Sequence, residues 1–221
     1  MSMKYFVFSI DDGTVYDKTT IELLNKYGIK GTFNLNTGLQ DFVWYLGDLP
    51  IRRLSLYENR DLYNGHEIDS HTLTHPYLDQ CGYEDILREV NEDIANLEAI
   101  FNREVIGFAT PFHTCGEREV DIIKNGTKIR YIRLSELDDS FKRPSDPYHI
   151  MCTSFRAKPA LELFDKFIVD KEAELFVYAG HSYDFYVDNT FDLLEELLKK
   201  LNAHQDEVKV VTMQEMVNLF F

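Results

Sequence analysis

Short, almost purely apolar runs alternate along this chain with longer segments in which apolar and polar residues mix. The first run, 4–10, has the continuous apolar pattern of a strand that is buried on both faces of a parallel sheet. Comparable runs recur as far as the C-terminal end of the chain. Seven strands are predicted from them: 4–10, 31–36, 66–70, 105–109, 129–134, 175–179 and 208–211.

The segments between these runs carry apolar residues at helical spacing. The clearest is 83–101, whose apolar residues recur at steps of three or four and so line one face of a helix. Thr19 and Glu22 form a capping-box pattern at the start of another helix, which closes at Gly28. The remaining predicted helices are 51–57, 117–124, 161–168, 191–201 and a last one from Met213. Two segments are predicted to be loops: 140–154 and the stretch around Trp44.

Strand and helix therefore alternate about seven times, and this order predicts an α/β fold built on a parallel sheet. For a chain of 221 residues, this sheet is either doubly wound or closed into a barrel of the triosephosphate isomerase type in which one strand is missing or broken. No shift in composition, low-complexity run or internal repeat divides the chain. We therefore expect one domain over residues 1–221.

Charge and cysteine content narrow the range of functions. The net charge of −15 argues against partners that need a basic surface, namely nucleic acids and anionic membranes. Cys81, Cys115 and Cys152 are far apart and odd in number, which is typical of reduced thiols and not of a disulfide framework. The N-terminal apolar run is too short for a signal peptide or a membrane span. We therefore expect a cytoplasmic protein.

Candidate functional residues follow the carboxyl ends of several predicted strands. They are Asp11, Asp12, His71, Pro111, Phe112 and His181. Because parallel α/β folds build their active sites at this edge of the sheet, we expect these residues to share one site. His71 and His75 are four residues apart, so on one helical turn both imidazoles would point at a single ion.

Three motifs, in this order along the chain, resemble those of a known family. They are Phe8-Ser9-Ile10-Asp11-Asp12-Gly13, His71-Thr72-Leu73-Thr74-His75-Pro76 and Ala179-Gly180-His181-Ser182-Tyr183-Asp184-Phe185. They are similar to the successive motifs of the polysaccharide deacetylases, which are carbohydrate esterase family four with the NodB-homology domain. The runs 33–38 and 129–133 also resemble members of that family. The resemblance implies a distorted, incomplete (β/α) barrel of about seven strands, which agrees with the alternation of elements.

The resemblance also implies a metal-dependent hydrolase that removes an acetyl group, as an amide or an ester, from a glycan or an amino sugar. Asp12, His71 and His75 would bind a divalent metal ion, with zinc expected first and cobalt, nickel or manganese as alternatives. The chemistry supports this independently, because two imidazoles and a carboxylate with an open position are a common ligand set for a hydrolytic metal.

By the same resemblance, Asp11 is the general base and His181 is the general acid. The two adjacent aspartates would divide the work, because a metal keeps Asp12 ionised while Asp11 stays free to exchange protons. The backbone N–H of Phe112 would help to stabilise the oxyanion. Four residues are expected to contact the substrate: Pro111, Phe112, Tyr183 and Asp184.

Two departures from the family pattern bear on activity. Many members carry an arginine where this chain has Ala109, and that arginine pairs with the catalytic base. Three arginines are candidates to replace it: Arg130, Arg133 and Arg156. The aspartate that accompanies the acid histidine has no clear counterpart either, and four residues are candidates for it: Asp138, Asp139, Asp146 and Asp184.

These departures keep two other functions open. A catalytically impaired member of the family would keep the barrel and the metal and would bind glycans without hydrolysing them. A haloacid-dehalogenase-like phosphatase is suggested by Asp11-Asp12-Gly13-Thr14, although the nucleophilic aspartate of that family would fall at Ile10.

Overall fold

The structure is a computed structural model and describes residues 3–221. Its strands are β1 (Lys4–Asp11), β2 (Thr32–Leu35), β3 (Val43–Leu46), β4 (Leu49–Arg52), β5 (Glu67–Ser70), β6 (Gly107–Ala109), β7 (Tyr131–Leu137), β8 (Ile150–Cys152), β9 (Leu175–His181) and β10 (Val208–Val210). Its helices are α1 (Asp17–Lys26), α2 (Leu56–Asn59), α3 (Tyr83–Phe101), α4 (Glu117–Gly126), α5 (Ala157–Val169), α6 (Ser182–Val187), α7 (Phe191–Ala203) and α8 (Met213–Phe220). Within the described residues, no helix combines the length and the apolar character that a bilayer crossing needs.

Seven parallel strands curl into a nearly closed barrel in the order β9-β1-β2-β5-β6-β7-β8, and β10 adds to the beginning of β1. Between β8 and β9 lies a seam: β8 ends the strand order, and Ser154, just beyond it, forms an isolated bridge with Tyr178 of β9. The prediction of a distorted, incomplete (β/α) barrel is thus confirmed. The alternative of an open, doubly wound sheet was wrong.

The side chains of β1 show how the strand sequence positions the site. Phe6, Phe8 and Ile10 belong to the larger apolar cluster, which also contains the buried faces of the helices. Val7 belongs to a second, smaller cluster, because successive side chains of a strand point to opposite faces. Asp11 lies four residues after Val7 on the same strand, so its side chain points to the same face. It therefore lies on the inner face, at the carboxyl end of the barrel.

The segment after β2 departs from the prediction. The predicted helix 51–57 was wrong: Val43–Leu46 and Leu49–Arg52 instead form an antiparallel hairpin, and α2 begins only at Leu56. Gly47, at φ +60°, forms the tight turn that lets the two strands pair. Trp44 accordingly lies on a strand and not in a loop. We refer to residues 43–52 as the hairpin.

Three smaller differences concern one helix boundary and two short elements that were not predicted. The first helix begins at Asp17, so Thr19 lies inside it and forms no cap. β8 lies within the predicted loop 140–154, where its three residues were too short a run to stand out. α6 follows β9 without a loop and was not predicted.

Candidate metal centre and active site

The carboxyl ends of β1, β5 and β9 meet around a cleft of about 640 Å³. Asp11 is the last residue of β1, and Asp12 follows at φ 84°. His71 follows β5, and His181 ends β9 directly opposite Asp11 in the strand register. The edge of the parallel sheet thus brings together the residues that the sequence places at strand ends.

Asp12, His71 and His75 form a group that fits a metal ion. Asp12 Oδ1 lies 3.6 Å from His75 Nε2 and 3.9 Å from His71 Nε2, and one ligand atom from each of the three residues lies within 4.8 Å of the others. One carboxylate and two imidazoles at the edge of an open cleft leave room for a water molecule or a substrate atom as a further ligand. The donor set therefore fits a catalytic divalent metal.

The two histidines do not lie on a helical turn, and that prediction was wrong. Thr72 and His75 both have positive φ, at 68° and 57°, so the chain makes an irregular loop. Side-chain hydrogen bonds help to fix this loop: Thr72 Oγ1 accepts the backbone N–H of His75 at 3.0 Å, and Asn36 donates to the carbonyls of His71 and Thr72. The imidazoles converge because of this loop, and not because of a four-residue helical period.

The protonation states of the histidines also suit metal binding. Burial lowers the pKa of His71 well below its ordinary value and lowers that of His75, so both rings are neutral near pH 7. His71 Nδ1 donates to the carbonyl of Ala109 at 2.8 Å, which leaves Nε2 free to face Asp12. Burial alone would raise the pKa of Asp12, but the opposing effects, led by the charges of Arg53 and His181, outweigh it, and the pKa is lowered.

Asp11 is held by an arginine from another strand. Arg133 on β7 forms a buried ion pair with Asp11 Oδ1, and Asn34 donates to the same oxygen at 2.6 Å. Arg133 is the direct strand partner of Ala109, so its guanidinium enters the site one strand away from the position of the family arginine. Burial opposes its charge, but Asp11 raises the pKa of Arg133, which stays cationic. Of the three candidate arginines, Arg133 is the one that contacts Asp11.

His181 is paired with Asp184 of the same chain segment. Its Nδ1 lies 2.9 Å from Asp184 Oδ2, and its Nε2 faces the cleft, 3.7 Å from Asp12 Oδ2. Burial alone would lower the pKa of His181, but the hydrogen bond to Asp184 and the nearby aspartates raise it to about 9. Asp184 in turn contacts Arg156. Of the four candidate aspartates, Asp184 is the one beside His181.

Aromatic side chains form two walls of the cleft. On one side, Phe112 stacks on Tyr77 with ring centres 4.2 Å apart and meets the edge of His75. On the other, Tyr183 stacks on His181 at 4.6 Å, and Trp44 of the hairpin packs against Tyr183. Pro111, in contrast, is buried and does not line the cleft.

Sequence reasoning missed Arg53, which follows the hairpin. It is 5% exposed, and its Nη2 donates to Asp12 Oδ1 at 2.9 Å. Beside Arg52 in the sequence it resembles an ordinary surface arginine, and its contact spans 41 positions. No local signal in the sequence could have identified it.

Comparisons with known proteins agree with this geometry. A family profile described as polysaccharide deacetylase matches residues 1–128, more than half of the chain. No curated protein sequence matches the chain. The Xyl-CE4 domain of a multidomain xylanase from the hindgut metagenome of Trinervitermes trinervoides has a similar structure, with a TM-score of 0.65, 18% identity and coverage of 99% of this chain and 91% of that chain.

Two further solved structures are informative. Peptidoglycan deacetylase PdaC from Bacillus subtilis is similar at TM-score 0.63 and 17% identity, over 99% of this chain and 92% of that chain. BA3943 from Bacillus anthracis, described as a CE4 family pseudoenzyme, is similar at TM-score 0.62 and 17% identity, over 97% of this chain and 66% of that chain. At these identities the likeness establishes the shared fold and not a shared activity.

Proposed function

The chain belongs to the polysaccharide deacetylase family, and on that premise we propose that it is a metal-dependent hydrolase that removes an acetyl group, as an amide or an ester, from a glycan or an amino sugar. We propose that residues 1–221 act as one domain in the cytoplasm. The observation that carries the proposal is the convergence of Asp12, His71 and His75 from two separate loops at the mouth of the barrel.

Asp12, His71 and His75 would hold the divalent metal, with zinc as our first choice because two neutral imidazoles and a carboxylate suit it. When bound, such a metal polarises a carbonyl oxygen and lowers the pKa of water. The chain's own contribution is to present one carboxylate oxygen and two Nε2 atoms on one side of the cleft.

Asp11 is our candidate for the general base. It is adjacent to Asp12 and faces the same cleft, and its carboxylate forms an ion pair with Arg133. Arg133 and Asn34 both contact Oδ1, so the position of the carboxylate is fixed while Oδ2 remains available to accept a proton from the attacking water.

His181 is our candidate for the general acid. Its raised pKa, about 9, means that the imidazolium form carries a proton at neutral pH. Asp184 holds Nδ1, so Nε2 points into the cleft and can donate its proton to the departing nitrogen or oxygen of the substrate. The acid and the base thus stand on adjacent strands, at paired positions of β1 and β9.

The cleft favours an uncharged glycan. Within the described residues that line it, Asp11, Asp12 and Asp184 each contact an arginine, so none of these three carboxylates is left free to select a cationic substrate. Phe112 and Tyr183 offer flat apolar surfaces on opposite sides, where a sugar ring can pack. We propose that these two residues contact the substrate and that the backbone N–H of Phe112 stabilises the oxyanion. Pro111 would support Phe112 from beneath the cleft surface, and Asp184 would act through His181.

The experiment is a screen for acetate release over chito-oligosaccharides, acetylated xylans and sugar nucleotides, with and without a chelator. Elemental analysis of the purified protein accompanies it. We expect about one metal ion per chain and acetate release that the chelator abolishes and added metal restores. His71→Ala should lose both the metal and the activity. Stoichiometric metal binding by His71→Ala would show that the ligand assignment is wrong.

A second candidate is a glycan-binding member with impaired catalysis, because one structural relative is described as a pseudoenzyme. The pairing of Arg133 with Asp11 speaks against it, since this chain supplies the missing arginine from β7. Glycan binding without any acetate release by the metal-loaded protein would favour it. The family assignment gives no support to the phosphatase alternative.

A further inference from the structure

Arg53 connects the two loops that carry the metal-ligating residues. Its guanidinium donates to the backbone carbonyl of Asp12 and, at 2.9 Å, to Asp12 Oδ1. The same guanidinium donates to Asn36 Oδ1, and Asn36 Nδ2 donates to the carbonyls of His71 and Thr72. Arg53 and Asn36 together thus span the gap between the Asp12 loop and the His71 loop.

The backbone around Arg53 is fixed as tightly as its side chain. Its N–H donates to the carbonyl of Phe42 at 2.9 Å, and it pairs with Thr14 across an antiparallel bridge. The ring of Trp44 lies over the guanidinium, with its centroid 5.2 Å from Cζ. Both the hairpin and the loop after β1 therefore hold Arg53 in place beside the site.

The oxygen that Arg53 contacts is also the one that faces both imidazoles. Asp12 Oδ1 lies 3.6 Å from His75 Nε2 and 3.9 Å from His71 Nε2. A carboxylate can accept several hydrogen bonds per oxygen, so an N–H donor on one side leaves lone pairs for another partner. The guanidinium therefore fixes the rotation of this carboxylate and keeps it turned toward the histidines.

From this arrangement we infer that Arg53 and Asn36 are positioning residues that set the geometry, and hence the affinity, of the metal site. The inference rests on the proposed metal-dependent function. Partners behind the direct ligands of a metal commonly contribute a factor of about 10–100 in affinity or activity. A lysine at position 53 would keep the charge, but its ammonium is a compact point donor that cannot form the same planar set of bonds. The effect of geometry can thus be separated from the effect of charge.

The test measures metal binding by the full-length protein, freed of metal, in competition with a chromophoric chelator. Zn²⁺ gives the dissociation constant, and the visible spectrum of Co²⁺ reports the coordination geometry. We expect Arg53→Lys to bind Zn²⁺ about 10–100-fold more weakly than the wild type, with an altered Co²⁺ spectrum. Arg52→Lys is the matched control, because Arg52 is adjacent, is exposed and pairs with Asp41 on the surface. It should bind like the wild type.

Asn36→Ala provides a second variant in case Arg53→Lys does not fold. It leaves the contact between Arg53 and Asp12 and removes the link to the His71 loop, so it too should weaken Zn²⁺ binding and alter the Co²⁺ spectrum. Wild-type dissociation constants and spectra in the folded variants would overturn the inference and leave the proposed function intact. Failure of the wild-type protein itself to bind either metal would overturn both.

Discussion

Each end of the barrel contains a pair of acidic side chains, and the two pairs differ in the groups that contact them. At the carboxyl end, Asp11 and Asp12 each form an ion pair with an arginine. At the other end, Glu67 and Asp69 lie two residues apart on β5, so both point to the same face. In the described part of the chain, no arginine or lysine forms an ion pair with either of them.

We refer to Glu67 and Asp69 as the lower pair and to Asp11 and Asp12, at the carboxyl end of the barrel, as the upper pair. The lower pair is held by neutral groups. The hydroxyl of Tyr131 contacts Glu67 and lies 3.0 Å from Asp69 Oδ1, and the backbone N–H of Gln214 donates to Glu67. Burial raises the pKa of Glu67, and burial together with the charge of Glu67 raises that of Asp69 well above its ordinary value. A Cβ at Gly107 would collide with the Asp69 carboxyl, so only glycine fits there.

The difference shows that the neighbours of a carboxyl group decide its chemistry. At the carboxyl end, burial would raise the pKa of Asp12, but the charge of Arg53 helps to lower it, which suits a metal ligand. Arg133 holds the carboxylate of Asp11 in place. Neutral partners and burial favour a retained proton at the lower pair, which suits a structural link inside the barrel.

Removal of the charge of Asp11 should have the largest effect. We expect Asp11→Asn to lower kcat by about 10²–10⁴-fold and to keep the metal, because the base is lost while the ligands remain. Glu67→Gln, a matched change at the lower end, should leave kcat at the wild-type level. Initial rates of acetate release and metal content measure both. Unchanged kcat in Asp11→Asn would remove Asp11 from the mechanism.

Loss of an arginine partner should destabilise the fold. Arg133→Ala leaves Asp11 buried without its counter-ion, and we expect it to lower the free energy of unfolding by about 3–5 kcal/mol. Tyr131→Phe at the lower end removes a hydroxyl and should cost only about 0.5–1.5 kcal/mol. Denaturant titrations compare the two. Because Ala109 is the strand partner of Arg133, adding Ala109→Arg should recover part of the loss. Equal stability of Arg133→Ala and the wild type would contradict the role of this pair.

Metal should stabilise the protein through the upper end alone. At a free concentration of about 100 times Kd, a bound ion raises the free energy of unfolding by about 2.7 kcal/mol. The shift should be absent in His71→Ala and present in Asp69→Asn, and thermal unfolding with and without chelator measures it. A shift of equal size in His71→Ala would place the ion elsewhere.

The lower pair should make stability depend on pH. Its carboxyl groups have a raised pKa in the folded state, so the fold holds protons that the unfolded chain releases. The contribution of this pair to stability is therefore greatest below the ordinary carboxyl pKa, 3.8 for Asp69, and falls as pH rises above it, by up to about 1.4 kcal/mol per pH unit for one titrating group. Asp69→Asn should flatten this slope in denaturant titrations at a series of pH values. An unchanged slope in that variant would show that Asp69 is ionised in the fold.

The parallel sheet could be predicted from the sequence because continuous apolar runs allow few alternatives to buried parallel strands. The resemblance to the family then favoured the barrel over the doubly wound sheet. The strand ends then placed Asp11, Asp12, His71 and His181 at one edge. The conformations of the loops could not be predicted in the same way. Two residues with positive φ bring His75 toward His71, and sequence spacing alone suggested a helix instead.

The partners of the site residues needed the three-dimensional structure. Arg133 was one of three candidates, and only the register that pairs it with Ala109 distinguishes it. Asp184 was one of four, although its spacing of three residues from His181 at a helix start is a local signal that could have ranked it first. Arg53 was not considered, because tertiary packing of the hairpin creates its contact with Asp12.

The seam of the barrel has a consequence for how the molecule opens. β9 is joined to β1 over seven residue pairs, whereas across the seam its backbone forms a few hydrogen bonds with Phe141, Thr153 and Ser154. Arg156 follows Ser154 closely along the chain, so a transient opening of the seam between β8 and β9 would separate Arg156 from Asp184. The loops after β1 and β5, which carry Asp12 and His71, would stay in place. Native-state amide exchange should accordingly be fastest along this line, with the acid side of the cleft loosening before the opposite side.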